Sequence, residues 1–291
     1  MRCQGASGHL DAVVLAGGGP DPGLDPRAPS KALVSIAGRP MVEYVLEALR
    51  GVRRIGRIAL VGPRLLPPEI ASRADLVVEE RGDLLENLLA AIEALHPEDG
   101  VLAVASDLPL LTAASVEGFL DATGEEADFY YAIVPYEAIQ MRYPGVHKTH
   151  VRVAEGTFCG GSVFLLDPAV IPRLRSLIRQ AIAARKSPLA LARLFGWRNI
   201  LKFLLRRISI RDLEAFLEET SGVKGKAVIT PYPEVAIDVD ARRPENLRAV
   251  QKALMAKSPR QNLETDSGTP PKPVSGFGGD PDTGEAPVDP V

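Results

Sequence analysis

Short apolar runs alternate with stretches of helical periodicity along most of this chain. Val13-Val14-Leu15 stops at Gly17-Gly18-Gly19, and Ile58 to Gly62, Leu76 to Glu79, Val101 to Ala105, Phe129 to Val134 and Thr157 to Leu166 are similar runs. Runs this short and apolar read as strands, several of them buried on both faces. Between them, Met41, Tyr44, Val45, Ala48 and Leu49 recur at helical spacing, from Pro40 at a first helical position to Gly51. Leu85, Leu88, Leu89 and Ile92 mark a second helix, and a third covers about Ala113 to Ala122. Further strands are expected near Ala227 to Thr230 and Glu234 to Val239, before a closing helix from Pro244 to about Met255. Strands alternating with helices predict a three-layer α/β/α, Rossmann-like architecture with a mostly parallel sheet.

One segment breaks the alternation. Between Arg173 and Arg211 there are eleven Arg or Lys and no Asp or Glu, which leaves -14 on the rest of a chain whose total is -3. From Trp197, the residues Ile200, Leu201, Leu204, Leu205 and Ile208 form one helical stripe, with Arg198, Lys202 and Arg206 on the other side. This is read as a basic helical insert over 168–222 of a domain spanning 1–257. Its stripe suits packing over the sheet, a homodimer contact, or a membrane interface with cations on anionic headgroups. From Ser258 to Val291 the Pro, Gly, Thr and Asp content predicts a disordered tail.

The chain has 291 residues and is 46% hydrophobic, enough for a full core. Its slightly negative total excludes a general affinity for nucleic acid. Cys3 and Cys159 provide neither a disulfide framework nor metal-ligand spacing. No apolar run approaches a membrane span, and the N-terminus has no signal-like pattern. The expected location is the cytoplasm, at most peripheral at a membrane surface.

The chemistry concentrates in two places. The first is the glycine run, from which more than twenty residues lead to the helix at Pro40, with Lys31 on the way. Such a loop is uncommon in a compact domain unless it has a function. Its glycines would expose N–H donors at a strand's carboxyl end, and Lys31 would add a positive charge for phosphate oxygens. It is not a Walker loop, since no G-x-x-x-x-G-K-[ST] surrounds Lys31. Nor is it a dinucleotide fingerprint, because Pro22 stands where the third glycine is needed.

The second place is a set of carboxylates. Asp107 lies just past the run ending at Ala105, an address that faces the ligand crevice of an open sheet. Asp238 and Asp240 are two apart and so point the same way on a strand. Gathered together they would repel unless a divalent cation joined them, and oxygen ligands beside phosphate favour magnesium. Each also has a plain alternative, Asp107 capping a turn and Asp240 capping the helix at Pro244.

These residues resemble the MobA-like nucleotidyltransferases, relatives of molybdenum-cofactor guanylyltransferases, sugar-1-phosphate nucleotidyltransferases and cytidylyltransferases. The resemblance covers Asp11 to about Lys257. It rests on Leu15-Ala16-Gly17-Gly18-Gly19 with Lys31, Asp107-Leu108-Pro109-Leu110-Leu111-Thr112, Gly160-Gly161, and Asp238-Val239-Asp240 before Pro244-Glu245-Asn246-Leu247. It implies a GT-A-like nucleotidyltransferase fold and Mg²⁺-dependent transfer of a nucleoside monophosphate from an NTP to a phosphorylated small-molecule or lipid-linked acceptor, releasing pyrophosphate. By likeness, Leu15, Ala16, Gly17, Gly18, Gly19 and Lys31 hold the nucleotide, and Gly82, Glu86 and Asn87 contact its base. Lys31 and Asp107 would be catalytic, and Asp107 and Asp240 would hold the metal, with Asp238 as alternate ligand.

The acceptor would meet Gly160, Gly161 and Ser162, while Arg142, Lys148 and Arg152 suit an acceptor phosphate. In two respects the chain departs from the family pattern. Pro20-Asp21-Pro22 occupies the place of an arginine common in relatives, leaving Arg27 as the candidate replacement, and Ser162 stands where an asparagine often follows the glycine pair. A chain that had lost efficient chemistry would be a nucleotide-binding or membrane-docking protein on the same fold, and a structural partner-binding domain is a third reading.

Overall fold

The computed structural model describes residues 9–124, 126–175, 201–202, 205 and 207–257. The strands among them are β1 (Leu10–Leu15), β2 (Ser35–Ile36), β3 (Arg39–Pro40), β4 (Ile55–Gly62), β5 (Leu76–Glu79), β6 (Val101–Ala105), β7 (Phe129–Pro135), β8 (His150–Val153), β9 (Gly156–Leu166) and β10 (Gly225–Ile229). The helices are α1 (Met41–Arg50), α2 (Pro68–Ala71), α3 (Leu84–Leu95), α4 (Ala113–Asp121), α5 (Tyr136–Arg142), α6 (Ile210–Ser221) and α7 (Pro244–Lys257).

The main sheet has the order β10-β7-β9-β6-β1-β4-β5, with β8 added to β9. β1 lies parallel between β4 and β6, β5 is parallel to β4, and β10 is parallel to β7. Only β9, between β6 and β7, runs against this direction, and β8, antiparallel to β9, runs with the rest. β1, β6 and the second half of β4 are buried on both faces, as their unbroken apolar runs require, whereas β5 at the edge is partly exposed. In β1, Ala12 and Val14 join the core that contains Val42, Val45 and Leu49 of α1, whereas Val13 and Leu15 join that of Leu88, Ala91 and Leu95 of α3.

Local signals set the helix starts. Asp83 accepts from the Glu86 N–H at the head of α3, Thr112 and Ser115 form a reciprocal capping box on α4, and Ser209 and Asp212 do so on α6. The last cap corrects the expected stripe through Ile208. Ile208 is buried but lies outside any helix, with its N–H on the Lys202 carbonyl, and the helix begins afresh at Ile210. Trp197 to Ile200, most of the basic insert (176–200) and the expected tail (258–291) lie outside the described residues.

A second correction concerns Glu234 to Val239, which is not a strand. Pro231 and Pro233 supply no N–H for a ladder, and the chain makes a 3-10 turn at Pro233–Val235 and then runs irregularly to α7. The stretch from Arg142 to Arg152, read as irregular, includes the end of α5 and all but the last residue of β8. A short hairpin, β2–β3, precedes α1, turning at Ala37 and Gly38 with φ of 50° and 83°.

Candidate functional site

The glycine run leaves β1 at its carboxyl end and folds back on itself. The Lys31 N–H donates to the Gly19 carbonyl at 2.8 Å, and the Ser30 hydroxyl donates to the Ala16 carbonyl at 3.3 Å. Both ends of the loop are thereby stitched together, and Lys31 begins a 3-10 turn capped by Ser30. Gly18 and Gly19 have φ of 115° and 72°, which only glycine adopts without strain at the first and few residues accept at the second. Gly17 passes so near Glu80 and Asn87 that a side chain carbon on it would stand 2.7 Å and 2.8 Å from their polar atoms.

This packing brings the expected base region to the loop. Asn87 is buried, and its Oδ1 accepts from the Arg81 N–H at 2.6 Å. Gly82, at φ 122°, leaves room for the Glu86 carboxylate, which accepts from Arg175 at 2.8 Å. Glu80, not singled out from sequence, accepts from the Gly18 N–H at 2.7 Å. Its signal was available: it follows β5 directly, the strand-end address that singled out Asp107. Nothing in the sequence pointed to Arg175.

Asp107 stands at the carboxyl end of β6. Lys31 Nζ donates to Asp107 Oδ2 at 2.5 Å, with the two side chains 26% and 19% exposed. The Asp107 carboxylate therefore turns to the loop lysine, not to a neighbouring turn. Its carbonyl accepts from the Val239 N–H at 3.1 Å, which fixes the Asp238-Val239-Asp240 segment beside it. Ile237 and Val239 are buried in the core, while Asp238 and Asp240 both border the cavity described below. The two aspartates share a side as expected, through this tie and not through strand pairing.

Asp238 is paired with Lys148. Asp240 accepts from Arg242 at 2.5 Å and also holds the Arg242 N–H at 2.8 Å, a local turn ahead of α7. The Arg242 guanidinium holds Asp240 well below the usual carboxylate range, and the Lys31 charge acts in the same direction. Lys31 thus couples electrostatically to two carboxylates. Among the described residues no cluster of three or more His, Cys, Asp or Glu of metal-holding geometry occurs. The donor set at Asp107 and Asp240 is hard carboxylate oxygen, which fits Mg²⁺, an ion held through one or two carboxylates with the remaining ligands from phosphate and water.

Asp238 and Asp240 border a cavity of about 620 Å³ between α6 and the sheet strands β7, β8, β9 and β10. Lys148 reaches it, as does Arg243, whose guanidinium donates to the Thr149 hydroxyl at 2.9 Å. Arg243 was not anticipated, although it stands next to Arg242 and three residues from Asp240. Of the expected acceptor contacts, Gly160 also lines the cavity, under the Tyr131 hydroxyl. Gly161 is buried, and its closest neighbours are Ala132 and Val235. Ser162 is half-buried beside it, where the β7–β9 register shifts.

Two expected cations turn elsewhere. Arg142 binds the buried Glu234 at 2.7 Å, next to the Tyr143 hydroxyl, whose pKa burial pushes up to about 12. Arg152 alternates with Val151 and Val153, which line the cavity, and so stands on the opposite face of β8. Arg27 is exposed on the loop, its N–H held by Asp25 at 2.9 Å. Among the described residues no helix is long and apolar enough to cross a membrane.

The chain is similar in part to known proteins. The bifunctional protein GlmU of Agrobacterium fabrum is 34% identical over 126 residues, 40% of this chain and 27% of that protein. The 2-C-methyl-D-erythritol 4-phosphate cytidylyltransferase of Streptomyces coelicolor is 30% identical over 142 residues, 45% of this chain and 52% of that protein. The matched regions span about half or less of those curated relatives. A solved structure described as a hypothetical transferase from Thermus thermophilus is 44% identical with a TM-score of 0.72, and the match covers 82% of this chain and 99% of that one. A profile of the MobA-like NTP transferase domain matches residues 12–225. With that match over most of its length, and with the α/β sheet order that carries the loop and carboxylates, the chain belongs to the MobA-like NTP transferase domain family.

Proposed function

We propose that this chain is a nucleotidyltransferase that moves a nucleoside monophosphate from an NTP to a phosphorylated acceptor and releases pyrophosphate, with residues 1–257 as its catalytic unit. The observation that carries the reading is Lys31 on Asp107 at 2.5 Å, at a sheet's carboxyl end between the glycine loop and Asp240. An acceptor phosphate oxygen bonds to the α-phosphorus, the bond from that phosphorus to the bridging oxygen breaks, and pyrophosphate departs with the electron pair. A phosphate monoester is largely ionised near neutral pH, so no strong general base is needed. The task left to the protein is alignment and charge neutralisation.

In this reading Gly17, Gly18 and Gly19 let the loop backbone approach the nucleotide, with the Gly18 N–H held by Glu80, and Lys31 neutralises its phosphates. Asn87, Glu86 and Glu80 surround the base, and Lys148 and Arg243 face the acceptor phosphate. Asp107 and Asp240 would hold Mg²⁺, which when bound neutralises phosphate charge. The test is thermal stabilisation by ATP, GTP, CTP and UTP, each with and without Mg²⁺, on the protein and on Asp107→Ala. One nucleotide should raise the melting temperature in the presence of metal, and Asp107→Ala should lose that gain. No shift with any of the four would overturn the transferase reading and favour a docking protein on the same fold.

A further inference from the structure

The cavity between α6 and the sheet has walls unlike those expected for a polar acceptor. Its floor is Phe129, Tyr131 and Ile133, alternate residues of β7, so it extends roughly 13 Å along the strand at about 3.3 Å per residue. Opposite them stand Ile210, Leu213 and Leu217, spaced to share one face of α6. No residue of α6 is fully buried, although this apolar face looks inward. Leu213 is 38% exposed and Val151, on β8, is 46% exposed. Protein interiors close voids of this size, whereas ligand sites of roughly 300–1,000 Å³ remain open.

The polar groups are segregated. Glu214 and Lys226 are paired at 3.2 Å, and Glu214 also accepts from the Ala227 N–H, so both already have partners within the protein. Both lie toward the start of β10, by Phe129 and Tyr131. The remaining charge lies at Lys148, Asp238, Asp240, Arg242 and Arg243. There the cations outnumber the carboxylates by one, and Arg243 holds a hydroxyl instead of an acid. This is also the end that Val239 ties to Asp107.

We propose that the acceptor is a phosphate monoester with an apolar tail, its phosphate at Lys148 and Arg243 and its hydrocarbon between β7 and α6. The proposal rests on the nucleotidyl-transfer reading for the acceptor's role, and on the cavity alone for its chemistry. A sugar phosphate would leave its hydroxyls against Phe129, Ile133, Leu213 and Leu217 without partners, an arrangement that costs binding.

The experiment measures binding of butyl, hexyl, octyl and decyl phosphate, with glucose 1-phosphate for comparison, to the full chain without nucleotide. Affinity should rise about three- to fourfold per added methylene until the tail reaches the Glu214–Lys226 pair, and glucose 1-phosphate should bind no better than butyl phosphate. Leu213→Asp and Val151→Asp, on opposite walls and both partly exposed, should each weaken decyl phosphate at least tenfold and butyl phosphate little. Nucleotide-induced stabilisation is read on the same samples. Affinity that ignores tail length and both variants, in protein that nucleotide does stabilise, overturns the apolar acceptor and spares the transfer reading. Tail-dependent binding without stabilisation by any nucleotide keeps the occupant and overturns its role as acceptor.

Discussion

Gly18 and Gly19 stand at positive φ with open space where a side chain would be, whereas a side chain carbon on Gly160 would meet the Tyr131 hydroxyl at 2.2 Å and one on Gly161 the Ala132 carbonyl at 2.9 Å. The two glycine runs look alike in sequence, and both permit close approach. In the first, what can approach is a ligand, because the backbone conformation is unusual and the space is free. In the second, the approach is already taken by the protein's own β7 and the turn at Pro233–Val235, at a register shift of the sheet. A glycine therefore marks contact, and only the fold says with what.

The largest effect should separate the chemistry of the first region from its architecture. Lys31→Met keeps the stem of the side chain and removes the charge from Asp107. Pyrophosphate release with the matching nucleotide should fall by about 10²–10³, while the urea midpoint stays within the range of an ordinary surface change. A variant that retains most of its turnover would remove Lys31 from the reaction and leave the Lys31–Asp107 pair a structural contact.

The contrast also shows which features can be read from residues alone. β1, β4, β5 and β6, with α1, α3 and α4, were legible because short apolar runs alternate there with stretches of helical periodicity, and α1 and α3 pack on the strands of that half. Lys31 and Asp107 were candidates from the long glycine loop and from the strand-end address, and Asn87 only from the resemblance; the fold sets Lys31 on Asp107 and Asn87 against Gly17. In the other half β7, β9 and β10 were also legible as apolar runs, but the pairing of β10 with β7 joins strands far apart in sequence. Glu234 to Val239 has strand-like composition, yet Pro231 and Pro233 deny it a ladder, and it is held instead by a backbone bond to Asp107, more than a hundred residues earlier, and by side-chain pairs with Arg142 and Lys148. Arg142 looked like a free cation until the fold set Glu234 beside it. The cavity has no sequence motif at all, since its walls come from four strands and a helix whose apolar residues look like any other core.

A smaller effect tests the glycines directly. Gly161→Ala forces a methyl against the Ala132 backbone and should cost about 1–3 kcal/mol in urea unfolding, with the nucleotide-induced shift preserved. Gly19→Ala meets no atom but adopts φ 72°, a strain of roughly 1–2 kcal/mol, and should in addition reduce the nucleotide-induced shift. If Gly161→Ala proved as stable as the parent protein while losing nucleotide, the two regions would have exchanged roles.

The smallest effect lies in the helix that forms one wall of the cavity, and it is a pH dependence. Asp212 closes the capping box of α6 with Ser209 and accepts from Lys202 at 2.5 Å. The Lys202 hydrogen bond, followed by those from Ser209, lowers its pKa from the ordinary 3.8 to about 2. A carboxylate depressed on folding contributes stability that is fully present above the unfolded value and is lost as pH falls through the folded one. The urea midpoints of the protein and of Asp212→Asn should therefore differ by a constant amount from neutrality down to about pH 4. The gap should then narrow and close as the pH passes 2. A gap that does not change over that range would mean the cap acts through shape alone, since Asn fills the same position without the charge, and Lys202 would then contribute nothing to holding the wall in place.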